Sequence, residues 1–274
     1  MLIKIGFDIS LNIDVETTVL YCLRVHPSRH NDLCYGESFR IEHGGNNNEE
    51  YWDTFGNWCG RLRCRAGVLR FVNQAVVRDS GLIDPRPVQA HQHDVWELPQ
   101  EILRFLLPSR YCETDSELLA FAWANFNTTP LGIPRVEAIC DFVNSHIKFD
   151  YMQARANRTA LEAYRERIGV CRDFTHLAVT LCRCMNIPAR YVTGYLGDIG
   201  VPAVPDPMDF SAWMEVYLGG EWHTFDPRHN TRRIGRVVIA RGRDASDVAI
   251  TTVFGNHQLV NFSVFTEEVF DVNA

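Results

Sequence analysis

A strand-rich opening, a helical middle and a return to strands predict an α+β protein, with helices packed on an antiparallel sheet behind a small β-sandwich. Three observations carry this reading. Residues 1 to about 85 fall into short period-two runs rich in β-branched and aromatic residues. From about 114 to 185 the apolar period becomes helical. Between 190 and 265 the strand period returns. The expected domains are therefore 1–85, a β-rich unit, and 86–274, the helix-and-sheet core, with Pro85-Arg86-Pro87 as the linker.

Taken in order, Ile3 to Ile9 alternates cleanly as a strand. Thr17 to Val25, Ser38 to Ile41, Trp58 to Cys64 and Val68 to Val77 are further strand runs, and Gly44 to Asn48 is an intervening loop. Past the linker, Thr114-Asp115-Ser116-Glu117 offers a capping box ahead of Leu118, Leu119, Ala122 and Phe126. Pro134 suits the first turn of the next helix, with Val136, Ile139 and Val143 on its apolar face. Thr159 can cap a short third helix that stops at Gly169. The strands expected afterwards are Arg190 to Leu196, Ala212 to Leu218, Glu221 to Phe225, Val237 to Ala240 and Gln258 to Phe265.

Composition excludes some functions. A net charge of −7 without a basic stripe argues against nucleic-acid binding. No run approaches the roughly 18 apolar residues of a membrane span, and the opening residues lack a signal peptide's basic and apolar regions. Nine cysteines, an odd number without a C-x-x-C pair, point to reduced thiols in a cytoplasm. The pairs His26/His30 and His91/His93 have no third ligand nearby, so neither metal nor cofactor is expected. The oligomeric state is not legible.

The chemistry centres on Cys171. It precedes Leu177, Ala178, Leu181 and Met185, an apolar helical stripe ended by Asn186-Ile187-Pro188, and so opens a helix. Unpaired amides and the dipole at a helix start favour a thiolate, and they can also hold an oxyanion when a carbonyl is attacked. Downstream, Asp226 follows a hairpin and offers a carboxylate.

The stretches Gly169-Val170-Cys171-Arg172-Asp173-Phe174, Asn186 to Leu196, Ala212-Trp213-Met214-Glu215-Val216-Tyr217-Leu218 and Trp222-His223-Thr224-Phe225-Asp226-Pro227 together resemble the core of the transglutaminase-like superfamily. Leu107 to Tyr111 resembles the lead-in of its bacterial branch of candidate cysteine proteases. The resemblance implies a papain/transglutaminase-like core and a Cys-His-Asp relay in chain order. Cys171 matches the nucleophile and Asp226 the orienting acid, but the histidine's place before Ala-Trp holds Ser211. A serine hydroxyl is no base near neutral pH.

Strand parity supports the alignment. With Gly219-Gly220 as a two-residue turn, Leu218 faces Glu221 and Trp213 faces Asp226. Ser211, Trp213 and Asp226 then share one face, while His223 points to the other. His176 lies about 140° round the helix from Cys171, and His229 and His257 fall in segments that the pattern does not position. Trp213 and Asp173 are expected to line the substrate cleft. The function implied is a cysteine hydrolase or acyltransferase acting on peptide, protein or small amide substrates through a Cys171 thioester. The alternative is a catalytically impaired module that binds a peptide or partner, with Ser211 marking the loss of the base.

Overall fold

The computed structural model describes residues 1–43, 45, 47–204 and 208–271. Its first strands are β1 (Leu2–Ile13), β2 (Thr17–Tyr21), β3 (Arg40–Glu42), β4 (Asn47–Trp52), β5 (Trp58–Cys64) and β6 (Gly67–Arg78). Alternation sets the buried face of β1, where Ile3, Ile5, Phe7, Ile9, Leu11 and Ile13 all enter the core. Of the loop expected at Gly44 to Asn48, Gly44 and Asn46 lie outside the described residues, and Asn47 and Asn48 already belong to β4. That strand is exposed along its length and, among the described residues, pairs only with β5, so it carries no apolar alternation to read.

The helices are α1 (Gln100–Leu103), α2 (Glu117–Phe126), α3 (Ile133–His146), α4 (Ala160–Glu166) and α5 (Cys171–Cys184). The short strands β7 (Lys148–Phe149) and β8 (Ile168–Gly169) flank α4. The cap of α2 is Ser116, whose Oγ accepts the Leu118 amide, rather than Thr114. Thr159 and Glu162 close a reciprocal capping box on α4. That helix ends at Glu166, where Arg167 turns left-handed with φ 57°, so Gly169 lies beyond it and pairs in β8. Cys171 opens α5 as expected, and every residue of α5 from Asp173 onward is buried. A helix covered on all sides is a central one: α2, α3 and α4 pack around it, and a sheet closes the remaining side.

That sheet contains β9 (Ala189–Tyr195), β10 (Ser211–Leu218), β11 (Glu221–Phe225) and β12 (Val237–Gly242), ordered β11-β10-β9-β12 and antiparallel. Gly219 and Gly220 take φ 60° and 89°, the doubly positive hairpin turn that glycine adopts without strain. Leu218 faces Glu221 and Val216 faces His223. Met214, Val216, Leu218 and Phe225 join the helical core, while Tyr191, Tyr195 and Ala212 merge with the sandwich core.

Two last strands, β13 (Thr251–Val253) and β14 (His257–Val269), return to the beginning of the chain. β14 pairs with β1 from Ile13↔His257 to Leu2↔Val269, and β13 pairs with β2. The facing sheets are thus β14-β1-β6-β3 and β13-β2-β5-β4. The sandwich draws on both ends of the chain, whereas the sequence reading placed 251–269 with the second domain. No helix among the described residues is long and apolar enough to cross a membrane.

A chain ending at Ile250 strips one edge strand from each sheet. It should melt roughly 10 °C or more below the full chain, on about 3 kcal/mol of lost pairing and burial. An unchanged melting curve would show that residues 1–85 hold the sandwich unaided.

Candidate active site

The start of α5 is built by a buried carboxylate. Asp173 Oδ2 accepts the Val170 amide at 2.9 Å and the Arg158 guanidinium at 2.9 Å. Its side chain is fully covered, so Asp173 does not line a cleft as the sequence reading expected. It fixes the turn that presents Cys171. Gly169 is required beside it, because a Cβ there would stand 2.4 Å from Asp173 Oδ2. Burial raises the Asp173 carboxyl above its ordinary range even though Val170 and Arg158 oppose the shift.

Cys171 itself is half-buried. The Ala212 amide donates toward its sulfur, which brings the start of β10 to the thiol. The helix start does not yield a ready thiolate. Burial and the Asp209 charge push the thiol up to about 11, outweighing Ala212 and Arg228.

At Asp226 the local sequence makes a turn. Its Oδ1 accepts the amides of Arg228 at 3.1 Å and His229 at 3.0 Å, and Pro227 suits the first position after such a cap. Asn230 closes the turn, its amide on the Asp226 carbonyl at 2.8 Å. From α3, Asn144 Nδ2 donates to the carbonyls of Pro227 and Arg228. Folded this way, His229 Nδ1 lies 2.8 Å from Asp226 Oδ2, and Arg236 Nη2 reaches the same oxygen at 3.0 Å. Burial pushes the Asp226 carboxyl up, but Arg236 and the ring and amide of His229 win and hold it well below the usual carboxylate range.

The partners of His229 define its tautomer. The Asp226 carboxylate only accepts, so Nδ1 carries the proton. Arg228 Nη1 donates to Nε2 at 2.9 Å, so Nε2 offers its lone pair. The sequence left His229 unpositioned, alongside His257. The Asp226-Pro227 turn itself brings position 229 back to the carboxylate. The legible signal was Asp-Pro-x-His, an acid followed by a histidine one turn later.

A cleft of about 50 Å³ gathers Ser211, Arg228, His229, Asp209, Asp198 and Arg233. Ser211 stands at the start of β10, one residue before the Ala212 amide that meets Cys171. Ser211 therefore adjoins the residue that meets Cys171, and the Asp226 charge acts on the same thiol. Trp213 is only 1% exposed and packs with Val192 and Val238, the Arg236 guanidinium 5.0 Å from its ring. It borders a separate cavity of about 210 Å³ lined by neither Ser211 nor His229, so its expected place in the substrate cleft is not where it stands. His223 hydrogen-bonds the Leu218 carbonyl, and His176 lies between the rings of Tyr111 and Tyr191. His257 bonds the Gly255 carbonyl. No group of three or more metal-ligating side chains occurs among the described residues.

Residues 120–227 match the model of the transglutaminase-like superfamily. A crystal structure of a candidate cysteine protease from Cytophaga hutchinsonii superposes with a TM-score of 0.83 at 29% identity, covering 100% of this chain and 95% of the other. An uncharacterised protein of Mycobacterium leprae is 34% identical over 107 residues, 37% of this chain and 38% of its own length. An uncharacterised protein of Mycobacterium tuberculosis is 31% identical over 128 residues, 42% of this chain and 40% of its own. The chain therefore spans about two fifths of the length of these curated relatives.

Because the folded Asp226 carboxyl lies below its unfolded value, its contribution to stability is complete above about pH 4 and drains away as pH falls further. Asp226→Asn should cost roughly 3–5 kcal/mol at neutral pH. It should also flatten the acid limb of stability in urea melts taken below pH 4. Parallel acid limbs in the two proteins would place the acid sensitivity elsewhere.

Proposed function

We propose that this chain, which carries a transglutaminase-like core over residues 120–227, is a thiol-dependent amide hydrolase or acyltransferase whose base is His229. The observation that carries the reading is the 2.8 Å contact between His229 Nδ1 and Asp226 Oδ2, in a fold that presents the Cys171 thiol at a helix start where the Arg228 and Asp226 charges act on it. The relay keeps the Cys, His and carboxylate of the superfamily resemblance but takes its imidazole from after the acid instead of from position 211.

The chemistry follows from the tautomer. Nε2 takes the Cys171 proton as the sulfur attacks an amide carbonyl. The first amides of α5, which have no partners within the helix, face the developing oxyanion. Collapse expels the amine, which takes its proton from His229 and leaves an acyl-thioester on Cys171. Water or a second amine, deprotonated by the same imidazole, then releases the acyl group as acid or new amide. Asp226 holds the ring and offsets its charge when protonated. The substrate is a peptide, a protein or a small amide, and the steps as written use no metal or cofactor. Nine free cysteines fit a reducing cytoplasm as the place of work.

A second reading, a binding module descended from such an enzyme, has its own support. The thiol is pushed up to about 11, and Arg228 occupies the nitrogen that the relay needs. Turnover of an activated ester separates the two. Cys171→Ala should abolish it, and His229→Asn should lower kcat by about 100- to 10,000-fold. Ser211→Ala should change it less than about tenfold, because on this reading the serine is not the base. Equal turnover in the parent and His229→Asn would remove His229 from the mechanism. Undetectable turnover in the parent would favour the binding module.

A further inference from the structure

Arg228 has an unusual partner for a guanidinium. It is half-buried in the cleft with Ser211 and His229. Among the described residues it forms no carboxylate ion pair, and its Nη1 donates to a neutral imidazole nitrogen. Its carbon lies 4.0 Å from the Phe149 ring centroid, so one face of the fork rests on an aromatic ring. The other cleft cation, Arg233, has Asp198 at 3.9 Å and donates to the Gly197 carbonyl. Asp209 accepts the Phe210 amide and supplies the opposing charge near the thiol. Arg228 is therefore the cleft cation whose stronger acceptor has yet to arrive.

We infer that Arg228 is a specificity residue that receives a carboxylate on the substrate, next to the bond being cleaved. The inference rests on the reading of His229 as base. A carboxylate outcompetes a neutral imidazole nitrogen for a guanidinium, because it brings a full opposite charge and two oxygens that match the planar fork bidentately. When Arg228 turns to the incoming anion, Nε2 is released and can take the Cys171 proton. Binding of the correct substrate thus uncovers the base, while a neutral amide leaves the cap in place. The carboxylate could be the end of a chain or an acidic side chain, and the cleft chemistry is the same for both.

Alkylation of Cys171 tests this without a known substrate. Iodoacetate and iodoacetamide form the same S–C bond and expel the same iodide, but only the first carries a carboxylate. Their rates at Cys171, read by peptide mass spectrometry, give a ratio for the parent, Arg228→Met and Arg228→Lys, with each fold checked by thermal melting. The ratio of iodoacetate to iodoacetamide should be about tenfold higher in the parent than in Arg228→Met, the size of one favourable charge contact. Arg228→Lys should fall between, since it keeps the charge and loses the planar fork. Equal ratios in parent and Arg228→Met, or in parent and Arg228→Lys if the methionine variant does not fold, overturn the inference. N-acetylglycine and N-acetylaspartic acid α-amide, added as competitors of iodoacetate, represent the chain-end and side-chain sources. The stronger competitor names the source, and failure of both to compete also overturns the inference. His229→Asn separates the two levels of the argument. If it alkylates at the parent rate with both reagents, the base assignment is wrong, whatever the Arg228 ratio shows.

Discussion

One buried carboxylate organises the functional half of this protein. The Asp226 side chain is 1% exposed, a position where an unpaired charge would be prohibitive. It is tolerated because donors arrive from several directions: two amides of its own turn, the His229 ring and the Arg236 guanidinium. Arg236 in turn pairs with Asp84, which belongs to the stretch leaving the sandwich and also accepts the Arg233 amide. The linker, the 226–236 segment and the imidazole are thereby joined through charge-assisted hydrogen bonds.

Cys171 is held by a second buried pair. Arg158 and Asp173 close the start of α5, and Arg158 also meets Glu166 at the end of α4. Farther along α5, Arg183 donates to the carbonyls of Leu107, Ala189 and Arg243. A helix gripped at both ends gives its first residue a fixed position, which an attack trajectory requires. The same enclosure removes water from the sulfur and pushes the thiol up to about 11. Rigid placement and a low thiol pKa therefore conflict here.

Charge around the cleft follows a similar division. Asp209 opposes a thiolate and Arg228 favours it. Arg228 also sits on the lone pair that the relay would use. A single guanidinium thus acts in opposite senses on the two members of the proposed relay, favouring a thiolate while occupying the imidazole nitrogen. An arrangement of that kind changes state when something else binds the guanidinium.

By itself the sequence determined what short-range physics determines. Alternation placed Ile3 to Ile9 and Trp58 to Cys64 in strands, the apolar stripe after Cys171 made that residue a helix start, and Gly219-Gly220 set the register that puts Leu218 against Glu221. These features depend on the dihedral preferences and side-chain period of neighbouring residues, which any window of the chain carries. Only the tertiary structure decided that β14 lies on β1, some 250 residues away, because its exposed edge face has little apolar alternation and its partner is chosen by the open edge of the sandwich. It also moved Asp173 from cleft to core, where its carboxylate accepts the Val170 amide and pairs with the buried Arg158. And it decided which histidine meets Asp226. The 226–230 turn carries position 229 to the carboxylate, and Asn144 of α3 and Arg236, which no local pattern connects to it, hold that arrangement in the fold.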